Sequence, residues 1–216
     1  MKTSRHIQEI LDRLDKEYGT DARCYLIHTN PHELLFATIM SAQCTDERVN
    51  AVTKTLFVKY PSVEAFANAS LEELEEDIHS VGFYHMKAKH IIECARALIH
   101  DYDGVVPSDI DELTALPGVG RKTANVVRSH IFDLPSIVVD THVKRISNKL
   151  GMTKESDPVK IEFDLMKKVP KDHWSLINFH LIRLGRTICT ARSPKCSECF
   201  LNDVCPAGKV SRSKIK

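Results

Sequence analysis

Apolar residues recur at intervals of three and four through almost the whole chain, a period that admits helices and little else. Ile7, Ile10, Leu11 and Leu14 share one helical face, and Gly19 can end that helix. Asn30-Pro31-His32-Glu33 reads as a capped start with proline in the first helical position. Val49, Val52 and Leu56 mark the next helix, and Ser70-Leu71-Glu72-Glu73 is a capping box. Ile91, Ile92, Ala95, Leu98 and Ile99 predict a long helix after Gly82. Ser108 and Asp157-Pro158 begin two more, and Trp174, Ile177, Leu181 and Leu184 predict a late one stopping at Gly185. The one strand-like stretch, Ile137-Val138-Val139, is too short to found a sheet. The expected class is all-α with short loops, and 8 glycines and 9 prolines are too few for a turn-rich sandwich.

With 216 residues, 43% hydrophobic and 27% charged, the chain can bury one sizeable core or two small ones and is too apolar for disorder. The best apolar run, Leu34 to Met40, is interrupted by Thr38 and falls far short of the roughly 18 residues of a membrane span. The N-terminus leads into an amphipathic pattern rather than a signal-peptide core, so a cytoplasmic protein with no membrane partner is expected.

Net charge says little, with 30 basic against 29 acidic residues; its distribution says more. From Ser62 to Ser80 the ionised residues are all acidic. From Arg183 to Lys216 eight basic residues (Arg183, Arg186, Arg192, Lys195, Lys209, Arg212, Lys214, Lys216) face only Glu198 and Asp203. One face turned to a polyanion would give this asymmetry; so would a solvated acidic helix and a basic tail.

Cys24, Cys44 and Cys94 stand among apolar residues and read as small buried hydrophobes. Cys189, Cys196, Cys199 and Cys205 are spaced C-x6-C-x2-C-x5-C, which in a cytoplasmic protein reads as a metal or cluster site rather than disulfides. Structural zinc and an iron–sulfur cluster both remain open on spacing. A single tight C-x2-C pair leans toward iron–sulfur, because four-cysteine zinc sites usually show two.

Leu116-Pro117-Gly118-Val119-Gly120 lies between two helical patterns, and Gly118 and Gly120 permit a tight hairpin with exposed N–H groups. At a helix start such groups favour an anion, phosphate above all, although an ordinary helix–helix turn has the same pattern. Arg121 and Lys122 follow, cations in a first turn where the dipole is already positive. The dipole and Arg121 disfavour a charged ammonium on Lys122, and a neutral lysine amine is a nucleophile toward carbon; a solvated lysine beside phosphate is the plainer alternative. Asp140, after Ile137-Val138-Val139 and before Val143, Ile146 and Leu150, reads as a helix N-cap; a capping carboxylate facing a cleft could also stabilise a cationic sugar or accept a proton.

Leu116-Pro117-Gly118-Val119-Gly120-Arg121-Lys122-Thr123-Ala124-Asn125-Val126-Val127 resembles the hairpin of the endonuclease III branch of the helix-hairpin-helix DNA glycosylases. Val139-Asp140-Thr141-His142-Val143 resembles that family's aspartate segment, Ser41-Ala42-Gln43-Cys44-Thr45-Asp46 its early helix–loop motif, and the cysteine spacing its [4Fe–4S] motif. The resemblance implies a six-helix domain from about Arg23 to Leu134, with the hairpin at about 109–132, and an iron–sulfur domain of residues 1–22 plus 135–216. It implies a monomeric base-excision glycosylase with abasic-site lyase activity, acting on double-stranded DNA that carries an oxidised pyrimidine or an abasic site. Lys122 and Asp140 would be catalytic, and Cys189, Cys196, Cys199 and Cys205 would hold a [4Fe–4S] cluster. Gln43, Phe83, Gly118, Gly120, Arg121, His142, Arg192 and Lys195 would meet DNA, with Gln43 filling the gap left by a flipped nucleotide. Phe83 stands where leucine is common in the family and would wedge into the duplex, a departure that bears on lesion and opposite-base preference; it could also be a core residue. Adenine- and thymine-mismatch glycosylases of the same fold typically lack the lysine, so Lys122 argues against them, and the chain's end at Lys216 argues against the extra recognition domain of the first. A non-catalytic DNA-binding module with a structural metal accounts for the hairpin and cysteines but not for Lys122 and Asp140.

Overall fold

A computed structural model of the chain describes residues 4–21 and 24–208, and all regular structure in them is helical. The basic residues Lys209, Arg212, Lys214 and Lys216 and the expected domain boundary at Arg23 lie outside the described residues. The chain divides into Cys24–Leu134 and a second unit made of Met1–Arg23 with Pro135–Lys216.

In the unit Cys24–Leu134, helix α2 (Pro31–Met40) is the centre of the core. The Asn30 side chain accepts the Glu33 amide at 3.0 Å and Pro31 fixes the first turn, so the start is set locally. From Glu33 to Met40 every residue is buried, so α2 shows almost no amphipathic stripe. Glu33 tolerates this because its carboxylate accepts Thr29 N at 2.6 Å and Thr29 Oγ1 at 3.0 Å. Around α2 pack α3 (Asp46–Lys59), α6 (Tyr84–Tyr102) and α8 (Arg121–Ile131), while α4 (Val63–Ala67) and α5 (Leu71–Ile78) lie against α6 and α7 (Ile110–Ala115) against α8. Phe36 and Phe66 meet edge to face at 4.7 Å, both fully buried, and Phe36→Ala would cost about 3–5 kcal/mol. Cys94 is buried, and burial pushes its thiol up to about 12, whereas Cys24 and Cys44 are only half-buried at the core's edge.

The other unit joins α1 (Arg5–Tyr18) to α9 (Thr141–Lys149), α10 (Pro158–Met166) and α11 (Trp174–Thr187). Ile7, Ile10, Leu11 and Leu14 of α1 are buried against Ile146, Ile177, Leu181 and Leu184, as their spacing predicts. Arg13 holds this arrangement at the surface through the Phe200 carbonyl at 2.9 Å and both Asp203 oxygens at 2.6 and 2.9 Å. Ile137 and Val138 are buried without forming a strand; the Asn178 amide donates to the Val138 carbonyl at 3.0 Å instead.

Two sequence expectations change. The cap of α7 is Asp109, not Ser108: its carboxylate accepts the Asp111 and Glu112 amides at 2.8 and 3.2 Å, and a charged acceptor suits the dipole better than a hydroxyl. Gly185 does not stop α11, which runs on to Thr187; this glycine is buried inside the helix for a packing reason given below.

Candidate functional site

The hairpin between α7 and α8 is closed by the Val119 amide donating to the Leu116 carbonyl at 3.1 Å. Gly118 is required twice: its φ is +75°, and a Cβ there would lie 2.7 Å from the Cβ of His90. Gly120 caps α8 without a side chain, so the first amides of α8 receive no side-chain acceptor from their cap. Arg121 and Lys122 occupy the first two helical positions, and Lys122 is exposed. Ala124, Asn125 and Val127 bury the opposite face, which fixes the rotation of α8. The positive dipole end, a cap without a side chain and two cations coincide at one place, an arrangement that favours a polyanion.

In the same unit two further candidate residues stand on left-handed backbone. Gln43, between α2 and the Thr45 cap of α3, has φ +54° and is exposed. Phe83, at the start of α6, has φ +49° and is 62% exposed, so it is not a core residue. A bulky residue in this conformation is uncommon and is held there by its surroundings.

In the unit carrying α9, Asp140 is the cap of that helix, its carboxylate accepting the Val143 amide at 2.7 Å. It is half-buried, so one oxygen anchors the helix while the group retains access to solvent. Two residues on, His142 packs onto Gly185 of α11 so closely that a Cβ at Gly185 would lie 2.2 Å from its Nδ1. Burial holds the His142 imidazole below its usual value, Asp140 opposing and Arg145 assisting, which favours the neutral ring. Arg145 approaches His142 Nδ1 at 3.4 Å and donates to the Cys189 carbonyl at 2.5 Å, lying 3.7 Å from the Cys189 sulfur. One side of α9 therefore runs from the Asp140 cap to the first cysteine. Arg145 and Gly185 were not singled out by sequence: the first looks like a solvated helix residue, the second like a helix stop.

Cys189, Cys196, Cys199 and Cys205 are free thiols and border one cavity of about 150 Å³, which Ile146 and Leu184 also line. The cysteine loop is held by backbone bonds from Lys195 N to Ile188 O at 3.0 Å and from Cys205 N to Leu201 O at 2.8 Å. Four free thiols bordering one cavity suit a [4Fe–4S] cluster, which is held by four cysteine thiolates. Arg192 and Lys195 are exposed on the loop between Cys189 and Cys196. Lys122 and Asp140 belong to different units, and each is placed by the cap of its own helix.

Residues 36–171 match the family described as HhH-GPD superfamily base excision DNA repair protein, and residues 189–205 match the iron-sulfur binding domain of endonuclease III. Endonuclease III of Synechocystis sp. is 50% identical over 204 residues, 94% of this chain and 93% of that protein. Endonuclease III of Bacillus subtilis is 49% identical over 215 residues, 99% of this chain and 98% of that one. Among solved structures, a trapped endonuclease III–DNA covalent intermediate superposes with a TM-score of 0.91 at 47% identity, covering 98% of this chain and 100% of that one. A thermostable thymine-DNA glycosylase, 24% identical with a TM-score of 0.84, shares the fold. The chain belongs to the endonuclease III family of the HhH-GPD superfamily, with that family's iron–sulfur domain at its cysteine loop.

Proposed function

We propose that this protein is a base-excision-repair DNA glycosylase with abasic-site lyase activity, and that Lys122 is its nucleophile. The observation that carries the reading is an exposed lysine in the first turn of α8, beside a glycine hairpin that starts the helix without a side-chain cap and suits a phosphate backbone. A relative of nearly half-identical sequence is trapped in covalent linkage with DNA, as amine attack on a sugar requires.

The target base must leave the stack before its sugar can be reached. Gly118, Gly120 and Arg121 hold the backbone, Gln43 occupies the vacated space, and Phe83 wedges the neighbouring step. The Lys122 ammonium first gives up a proton to water, Asp140 staying ionised, and the amine lone pair attacks C1′ while the glycosidic bond breaks and its electrons leave with the base, which takes a proton from water. Asp140 stabilises the cationic sugar in that transition. Ring opening gives a Schiff base between Nζ and C1′. Loss of a proton from C2′ then expels the 3′ phosphate by β-elimination, and water releases Lys122. His142, packed against Gly185 and beside Arg145, supports α9 from within its own unit. The [4Fe–4S] cluster organises the loop that presents Arg192 and Lys195 to phosphates.

Oxidised pyrimidines in duplex DNA are the proposed substrates and a monomer the proposed working form, acting on chromosomal DNA in the cytoplasm. Borohydride reduction with a thymine-glycol duplex tests the reading: the wild-type chain gives a covalent adduct and Lys122→Gln gives none while still binding. An adduct at the wild-type rate from Lys122→Gln would assign the nucleophile elsewhere; no adduct from the wild type would favour a monofunctional glycosylase or a non-catalytic module.

A further inference from the structure

Lys87, on the first turns of α6, is a buried cation that the chemistry above does not use. It is 5% exposed, and its ammonium donates to the Met40 carbonyl at 2.7 Å and the Val81 carbonyl at 2.8 Å. Met40 ends α2, so its carbonyl is one of the unpaired acceptors at the negative end of that helix. Val81 ends a 3₁₀ turn, His79–Val81, immediately before Gly82 and Phe83. Gln43 lies three residues beyond the first acceptor and Phe83 two beyond the second, and both stand in the left-handed region. The Lys87 amide adds a third tie, to the Phe83 carbonyl at 3.2 Å. Burial lowers the ammonium's tendency to stay charged, with Cys44 near enough to oppose this. Both acceptors of the ammonium are backbone carbonyls. Methionine would fill the same space without that desolvation cost, so the cation's contribution is its grip on two turns at once.

We propose that Lys87 is the positioning residue that locks the Gln43 turn to the Phe83 turn, so that the gap-filling and wedging side chains enter the duplex as one rigid pair. This rests on the roles given to Gln43 and Phe83 above. Two backgrounds test it, the wild type and Gln43→Ala/Phe83→Ala, each with and without Lys87→Met. In the wild-type background Lys87→Met should slow single-turnover excision from a thymine-glycol duplex at saturating protein about tenfold. It should also cut the fluorescence change of 2-aminopurine placed opposite a tetrahydrofuran abasic analogue. In the double-alanine background it should slow excision less than about twofold, because the side chains it positions are gone. An equal loss in both backgrounds, or an unchanged 2-aminopurine signal, makes Lys87 a purely structural residue and overturns the proposal. Excision at the wild-type rate by Gln43→Ala/Phe83→Ala alone would instead overturn the roles of those two residues. If Lys87→Met does not fold, Lys87→Arg, whose wider head spreads the two carbonyls, carries the same comparison in both backgrounds.

Discussion

Gly185→Ala is the substitution for which sequence and structure give opposite signs. In an ordinary helix interior, alanine is favoured over glycine by about 0.8–1 kcal/mol. At Gly185 the new Cβ would sit 2.2 Å from His142 Nδ1 and 2.9 Å from Ile146 Cδ1. Ordinary carbon contacts begin at about 3.5 Å, so the shortfall against the imidazole exceeds about 1 Å. Overpacking costs about 1–3 kcal/mol, and two clashes in a site closed by α9 put this case toward the upper end. Subtracting the helix gain leaves a net loss of about 2 kcal/mol, and for a chain of this size each kcal/mol lowers Tm by about 2–4 °C, so a drop of about 4–8 °C is expected. The displacement has a functional side, since α9 carries Asp140 at its cap and about 1 Å of misplacement can cost 10²-fold in rate. The assay is a thermal melt followed in the visible cluster band, together with the rate of borohydride trapping. Adding His142→Ala removes the closer clash, so Gly185→Ala in that background should cost far less stability. A Tm equal to or above the wild type for Gly185→Ala would refute the packing argument, and a lowered Tm with wild-type trapping would refute the link from α11 through α9 to Asp140.

Asp140→Asn keeps a good N-cap and removes the charge, so trapping should fall about 10²-fold or more with little change in Tm; a fully active or unfolded variant would leave Asp140 as a cap only. Cys199→Ser should bleach the brown colour, lower stability and weaken DNA binding together, and a colourless wild-type protein with one zinc and no iron would overturn the cluster. His173 gives a pH dependence. Burial opposes its charge, but Asp172 at 2.7 Å and Asp15 at 3.0 Å prevail and hold it above its usual value, while His180, facing Asp15 at 3.7 Å, is pushed down by burial. A raised histidine stabilises the fold fully below its unfolded value near about 6.5 and loses that contribution as pH rises through the folded value. Asp15→Asn should therefore cost about 1 kcal/mol, or about 2–4 °C, at about pH 6 and much less at about pH 9; equal losses at both would show the pair carries no charge.

The fold was legible where one local rule settles an element. The Asn30-Pro31 start, the Ser70 cap, the Asp157-Pro158 start and the buried faces of α1 and α11 are short-range facts, and the structure repeats them. What sequence could not show depends on partners far along the chain. Gly185 looks like a stop because glycine usually is one, yet its reason is a histidine 43 positions earlier. Lys87 looks like a solvated helix cation because its acceptors, Met40 and Val81, belong to other elements. Arg145 has the same disguise, its acceptor lying on the cysteine loop.

The candidate site itself was legible through broken rules. A glycine cap followed by two cations is a poor way to start a helix, and phenylalanine is a poor choice for left-handed backbone. Each arrangement costs stability in the free protein, and under the proposed function each would be repaid by DNA, at the start of α8 by a phosphate and at Phe83 by a base step. Asp140 is the exception: it obeys its local rule as the cap of α9, so its chemistry cannot be detected as a violation and enters only through the segment around it. In the proposed role the Asp140 carboxylate would be held without a separate support, because the Val143 bond that starts α9 is the same bond that aims the charge. It follows that Asp140→Ala should lose two things that Asp140→Asn separates, the helix start at about 1 kcal/mol and the charge at about 10²-fold in rate. If alanine and asparagine at this position melted at the same temperature, the cap would contribute nothing and the aim of the carboxylate would need another source.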